Sequence, residues 1–111
     1  MSRSGAVQTA ASARVFAALG DEQRLRLVAR LSEAGPLSIA ELTEHATVTR
    51  QAVTKHLRVL EDAGLVTGNR DGRRHVWSLQ QKRLQKAQEQ LQAISRQWDC
   101  AVDRLRAFVE D

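Results

Sequence analysis

The chain has 111 residues, of which 42% are hydrophobic and 27% charged, and a formal net charge of +4. This length fits a single domain, residues 1–111, with one small core. The lone cysteine, Cys100, excludes an intrachain disulfide framework, and the lack of any run of 18 apolar residues excludes a membrane-spanning helix. The N-terminus is too polar for a signal peptide, so we expect a cytoplasmic, largely helical protein.

Two helices are predicted in the N-terminal third. Residues 9–19 are rich in alanine and form the first, which carries Val15 and Phe16. Asp21 is placed to cap the second helix, which runs to about Ala34 before Gly-Pro stops it. The residues that follow its helical repeat are Leu25, Val28, Ala29 and Leu31 or Ser32, with Leu27 widening the apolar stripe.

Residues 38–63 predict a helix-turn-helix. Ser38 and Glu41 have the spacing of a capping box at the start of a short helix. Thr49 can cap the next helix, and the three- or four-residue turn between the two helices is typical of this motif.

The second helix of this motif has two contrasting faces. At 100° per residue, Val53, Leu57 and Leu60 form one apolar stripe. The opposite face is polar and basic and consists of Gln51, Thr54, Lys55 and Arg58. Such a face suits insertion into a DNA major groove. Taken alone, the helix is equally compatible with an ordinary surface helix that has a solvated polar side.

Residues 65–79 predict a β-hairpin, because the apolar period changes there from 3.6 to 2. We place its two-residue turn at Asp71-Gly72. Three arginines lie at the tip, namely Arg70, Arg73 and Arg74. Following a helix-turn-helix, this hairpin is interpreted as a wing; the alternative is a solvated hairpin whose arginines keep its edge soluble. Residues 49–77 hold six basic and three acidic residues, which favours a polyanionic partner.

Residues 80–109 predict one long helix with an apolar repeat of 3.5 residues. The repeat comprises Leu84, Ala87, Leu91, Ile94, Trp98, Ala101, Leu105 and Phe108. A small domain does not need so long a stripe, so the part from Leu91 onward predicts a homodimer interface. Val15 and Phe16 of the first helix are the expected companions. The alternative is a helix that folds back on its own domain.

The predicted fold is mainly α with a small β-hairpin, a winged helix-turn-helix in the order α-α-α-α-β-β-α. Several segments resemble ArsR-type winged-helix regulators over residues 12–80. They are Ala18-Leu19-Gly20-Asp21 with Arg24, Leu37-Ser38-Ile39-Ala40-Glu41-Leu42, the run from Val53 to Val66, Gly72-Arg73-Arg74 and Trp77-Ser78-Leu79. The tail from Trp98 to Glu110 is similar to a metal-independent subgroup. The resemblance implies a homodimeric repressor that binds an inverted-repeat operator and dimerises through its first and last helices.

Two departures bear on metal sensing. Metal-sensing members of the family carry a Cys-x-Cys pair where this chain has Ser38 and Ala40, and neither residue is a soft-metal ligand. Other members place Asp and His ligands along the last helix, whereas no histidine follows His75 here. We therefore expect neither a metal site nor a cofactor.

The predicted DNA-binding residues are Thr49, Arg50, Gln51, Thr54, Lys55, Arg58, Arg70, Arg73 and Arg74. Thr49 and Arg50 lie at a helix N-terminus that favours phosphate, and the wing arginines suit the DNA backbone or minor groove. His56 is interpreted as a partly buried structural residue, with a reader or pH sensor as the alternative.

Double-stranded DNA and a second copy of the chain are the expected partners. No glycine-rich phosphate loop or nucleophile–histidine–acid set is recognisable, so no enzyme is expected. Two rival functions stay open: a winged helix that binds proteins, and a DNA-binding activator. The operator, the regulated genes, the inducing signal and any redox role of Cys100 cannot be read from the sequence.

Overall fold

A computed structural model describes the backbone of residues 2–44 and 46–110, and the side chains of residues 9–44 and 46–110. The elements in chain order are α1 (Ser2–Leu19), α2 (Glu22–Ala34), β1 (Leu37–Ser38), α3 (Ile39–Glu44), α4 (Arg50–Asp62), β2 (Val66–Asp71), β3 (Arg74–Leu79) and α5 (Gln81–Glu110). The first helix therefore begins earlier than the predicted residue 9, because no proline interrupts the preceding segment.

A short strand, β1, was missing from the prediction. Leu37 and Ser38 pair antiparallel with Trp77 and Val76 of β3, so the sheet has three strands in the order β1-β3-β2. The predicted hairpin is thus part of a three-stranded sheet, and the order of elements is α-α-β-α-α-β-β-α. A strand of two residues shows no alternation of apolar and polar positions, so its sequence carries no strand signal.

The turn of the wing lies one residue later than predicted. Asp71 pairs with Arg74, which leaves Gly72 and Arg73 as the two turn residues. Gly72 has a φ of 65° at the first turn position, as a type II′ hairpin turn requires. The prediction of an Asp-Gly turn was wrong. A type I′ turn at Asp71-Gly72 and a type II′ turn at Gly72-Arg73 both contain a glycine, and only the register of the strands distinguishes them.

The core lies between the N-terminal helices, α4 and the sheet. Val53, Leu57 and Leu60 are buried, which confirms the predicted stripe of α4. In α2 the buried residues are Leu27, Val28 and Leu31, whereas Leu25 is 52% exposed. Leu25 lies about 200° around the helix from Leu27, so the burial of Leu27 turns Leu25 outward.

The last helix, α5, contains 30 residues, and the chain including this helix is 67 Å long in its longest dimension. Its first half packs along α1, where the Gln90 side-chain amide donates to the Thr9 hydroxyl at 3.1 Å. Of its described residues, Ala87 is the one that is buried. No helix in the described part of the chain is long and apolar enough to cross a membrane.

Candidate DNA-binding site

The orientation of α4 is set at its start and along one side. Thr49 caps the helix, since its hydroxyl accepts a hydrogen bond from the Ala52 backbone at 3.1 Å. Because Val53, Leu57 and Leu60 face the core, the opposite side of α4 faces solvent. Gln51 and Lys55 are therefore exposed, whereas Thr54 is half-buried and donates its hydroxyl to the Arg50 carbonyl at 2.9 Å. These residues occupy the N-terminal half of the helix, the part that reaches base edges in helix-turn-helix proteins.

The preceding helix, α3, is held at both ends. Ser38 and Glu41 form the predicted capping box, with distances of 3.1 and 3.2 Å between each side chain and the other residue's backbone nitrogen. At the far end, the guanidinium of Arg30 donates to the carbonyls of Leu42 and Glu41 at 2.8 and 2.9 Å. Arg30 of α2 thereby caps α3 and fixes its angle to α2. Sequence reasoning missed this residue, because no local spacing links it to α3.

The three arginines of the wing divide into two groups. Arg70 and Arg73 are exposed near the tip, and neither has an ion-pair partner among the described residues. Arg74 instead forms an ion pair with Glu41, the acid of the capping box. This pair links β3 to α3, so the guanidinium of Arg74 is engaged within the chain. The prediction had placed all three arginines together at the DNA.

A second contact between wing and helix involves Arg58 of α4. Its guanidinium carbon lies 5.9 Å from the centre of the Trp77 ring, within cation–π range, and one nitrogen lies 3.4 Å from Glu61. His75 stacks on Trp77 with ring centres 4.9 Å apart. Arg58 therefore points toward the sheet at the C-terminal end of α4. The helix period had grouped it with Gln51, Thr54 and Lys55.

Gly68 makes this stacked arrangement possible. A Cβ at residue 68 would lie 2.7 Å from His75 Nε2 and 3.0 Å from the Trp77 ring, closer than side chains normally approach. The glycine in β2 thus leaves the space that the two aromatic rings occupy on the paired strand. A side chain at residue 68 would therefore displace at least one of these two rings.

His56 connects α4 to the N-terminal helices. Its side chain is 22% exposed, so it is partly buried, as predicted. Its Nδ1 lies 3.5 Å from the Arg24 guanidinium and 3.9 Å from the carboxylate of Asp21. Arg24 also donates to the Ala18 carbonyl at 2.6 Å, near the end of α1. The cluster joins the start of α2, the end of α1 and the middle of α4.

Two carboxylates at these junctions have lowered pKa values. The backbone N–H of Arg24 hydrogen-bonds to Asp21 and lowers its pKa below 3.8, with further lowering from the charge of Arg24. For Glu41, hydrogen bonds from the Ser38 backbone and hydroxyl lower the pKa below 4.5, and the charge of Arg74 adds to this effect. Both groups are therefore more acidic in the folded chain than in the unfolded chain.

Acid should consequently weaken the fold through Glu41. Because the pKa of Glu41 is lower in the folded chain, its carboxylate stabilises the fold at pH values above the unfolded-state pKa, near 4.5. This stabilisation is lost as the pH falls toward the folded-state pKa. We expect Glu41→Gln to lose less stability than the wild type between pH 5 and pH 3, as measured by urea unfolding. Glu44→Gln, an equal charge change on α3, is the control. Equal flattening of the pH profile in both variants would contradict this role of Glu41.

The apolar face of α5 lies uncovered beyond its contact with α1. Five large side chains on the predicted seam are exposed: Leu91, Ile94, Trp98, Leu105 and Phe108. Trp98 is 69% and Phe108 81% exposed, while Ala101 is half-buried. Val15 was predicted to lie at a dimer interface, but it is fully buried within the chain, so its side chain is not on the surface. Phe16 is half-buried against the same core, so part of its ring stays accessible.

In the part of the chain that the structure describes, no three His, Cys, Asp or Glu residues come together as a metal site would require. Ser38 uses its hydroxyl in the capping box, and Cys100 lies exposed on α5. The site therefore consists of α4, whose N-terminal half is polar and exposed, beside a wing with two projecting arginines, Arg70 and Arg73.

Comparisons with known proteins agree with this geometry. A family model described as a helix-turn-helix domain matches residues 13–69. An ArsR-like transcriptional regulator from Rhodococcus sp. RHA1 superimposes with a TM-score of 0.79 at 33% identity, covering 90% of this chain and 93% of that one. The chain belongs to the ArsR-type winged helix-turn-helix family. It is thus a DNA-binding transcriptional regulator, which confirms the predicted fold and function class and the expectation of a non-enzyme.

Curated relatives of this ArsR-type regulator carry matching descriptions. The uncharacterized HTH-type transcriptional regulator YuzN of Bacillus subtilis is 47% identical over 68 residues, covering 56% of this chain and 74% of YuzN. An arsenical resistance operon repressor of the same organism is 36% identical over 63 residues, covering 57% of each chain. The alignment thus leaves over two fifths of that repressor unmatched.

Proposed function

We propose that this ArsR-type regulator is a homodimeric, cytoplasmic repressor that binds an inverted-repeat operator. The observation that carries the proposal is the outer face of α4, where Gln51 and Lys55 are exposed opposite a fully buried stripe. Gln can form two hydrogen bonds with adenine, and Lys can bind guanine at O6 and N7. The half-buried Thr54 lies on the same side of the helix, about 60° around the axis from Gln51.

The remaining residues are assigned to the DNA backbone or to support. Thr49 and Arg50 lie at the N-terminus of α4, where backbone amides favour a phosphate. Arg70 and Arg73 at the wing tip are proposed to contact the backbone or enter the minor groove. Arg58 and Arg74 are proposed to act chiefly by holding the wing, given their contacts with Trp77 and Glu41.

The dimer is proposed from the exposed apolar face of α5, because soluble monomers seldom expose so many large apolar side chains along one helix. A two-fold dimer would place its two reading helices about 34 Å apart, one turn of DNA. We further propose that the inducing signal is not a soft metal ion bound at the start of α3. Ser38 and Ala40 stand where metal-sensing relatives have cysteines, and the Ser38 hydroxyl is engaged with Glu41.

Titrating DNA with variants of single residues tests these assignments. The DNA is the protein's own upstream region, with a scrambled sequence as competitor. Lys55→Ala should reduce the preference for the upstream DNA by about 1–3 kcal/mol. Arg73→Ala should weaken both DNAs alike and flatten the salt dependence by about two phosphate contacts per dimer. Lys82→Gln, which removes a charge from the first turn of α5, is the control.

Two results would contradict the proposal. If the salt dependence of DNA binding is unchanged in Arg73→Ala, the wing does not contact the DNA. Lack of any footprint on the upstream DNA, with elution from heparin at low salt, would favour a winged helix that binds proteins instead. A reporter gene placed behind the footprinted site then separates repression from activation by the sign of its response.

A further inference from the structure

A cleft with a cavity volume of about 80 Å³, partly open to solvent, lies between α2, α4 and the turn after α3. Its floor is apolar and includes the buried residues Leu27, Leu42 and Val53. Its mouth carries nitrogen-bearing side chains, namely Arg26, Arg30 and His56. None of the described residues that line it is acidic. An apolar floor beneath two guanidinium groups is complementary to a molecule with a hydrocarbon part and one negative charge.

We propose that this cleft binds a small organic acid, with its hydrocarbon part on the floor and its carboxylate between Arg26 and Arg30. With a cavity volume of about 80 Å³, the cleft accommodates a ring or a short chain but not a nucleotide or a peptide. Neither the DNA-binding residues nor the α5 face contributes to it, so it is a separate site.

The two arginines differ in how they are held. Arg26 pairs with Glu22 at 2.8 Å, but both side chains are largely exposed. Such a surface pair contributes little, so the guanidinium of Arg26 can turn toward a ligand at small cost. The guanidinium of Arg30 instead donates hydrogen bonds to the backbone carbonyls of Glu41 and Leu42. A carboxylate is a stronger acceptor for a guanidinium than a neutral carbonyl and competes with this cap.

Binding in this cleft acts on the geometry of the helix-turn-helix. Arg30 fixes the end of α3, and Val48, in the turn before α4, lines the same cleft. An acid that draws Arg30 away from α3 and presses on Val48 displaces α4 relative to α2. The ligand thereby lowers DNA affinity. This regulatory step rests on the DNA-binding function, whereas binding of the acid itself does not.

Calorimetry with sodium benzoate on the full chain, without DNA, tests the site. We expect saturable binding of one benzoate per chain, and weaker binding of benzyl alcohol, which has the same ring without the charge. Arg26→Gln should weaken benzoate binding at least about tenfold, because it removes a charge-assisted hydrogen bond. Lys82→Gln removes an equal charge outside the cleft and should leave it unchanged. Ala46→Leu, which fills the cleft, should abolish binding of both molecules.

Three results would overturn the site: no benzoate binding up to its solubility limit, equal affinity for benzyl alcohol, or full binding in Ala46→Leu. Since Arg26 is exposed, Arg26→Gln keeps the test decisive if Ala46→Leu unfolds. The regulatory step is tested by DNA titration in sodium benzoate against sodium chloride at equal ionic strength. Benzoate should weaken DNA binding by the wild type but not by Ala46→Leu, and an equal effect on both would refute the coupling. Failure to bind DNA without benzoate would instead count against the proposed function.

Discussion

Replacing both Ile94 and Trp98 by glutamate is expected to separate the subunits and to lower operator affinity at least about 100-fold. Both side chains are exposed on the apolar face of α5, where a partner subunit is proposed to cover them. A carboxylate placed there would lose its hydration on association without gaining a partner. The monomer then binds a single half-site and loses the roughly 10²–10⁴-fold gain that comes from linking two binding units.

Sedimentation velocity measures the separation, and a DNA titration measures the loss of affinity. The double variant Gln85→Glu with Gln92→Glu is the matched control, since it adds the same charge to exposed positions of α5 outside the apolar repeat. It should remain a dimer and bind DNA almost as the wild type does. A dimeric Ile94→Glu, Trp98→Glu protein would show that this face does not join the subunits, and equal dissociation of both double variants would attribute the effect to charge alone.

The sequence predicted best those features that depend on residues close together in the chain. The stripe of Val53, Leu57 and Leu60 follows from the helical period, and the capping box of Ser38 and Glu41 from a spacing of three residues. The cap at Thr49 is equally local. Each of these interactions forms within one or two helical turns, so the tertiary fold does not have to be known to foresee it.

The roles of the arginines could not be predicted, because their partners are distant in sequence. Arg74 lies 33 residues from Glu41, and Arg30 lies 12 residues from Leu42. The helical period shows on which side of α4 Arg58 lies, but not that Trp77 occupies the space beside it. Long cationic side chains reach several ångströms from their backbone, so which arginines stay free for DNA depends on the packing of neighbouring elements.

The same limit explains the error at Val15. An alanine-rich helix shows an apolar side but not which elements cover it, and α1 packs against α2, α4 and α5. Val15 faces the core and is fully buried, whereas Phe16 stays partly accessible. In contrast, the exposed face of α5 was foreseeable because its apolar repeat is longer than a small domain can bury.

Trp77→Ala is expected to lower the free energy of unfolding by about 3–5 kcal/mol, the range for truncating a large buried aromatic side chain. Trp77 is 2% exposed, and its strand β3 lies at the centre of the sheet between β1 and β2. Its ring contacts His75 and the Arg58 guanidinium, so the variant also releases the contact between wing and α4. Urea unfolding at one fixed protein concentration measures the loss, since association also contributes to the stability of a dimer.

His75→Ala is the control because it lies two residues away on the same strand and its side chain is exposed. It removes one stacked pair and should cost no more than about 1.5 kcal/mol. Total stabilities of small domains are about 5–15 kcal/mol, so the loss of Trp77 removes a large share and should reduce DNA binding at 37 °C through unfolding as well as through the wing. Equal losses of unfolding free energy in the two variants would contradict the proposal that the buried ring of Trp77 anchors the sheet.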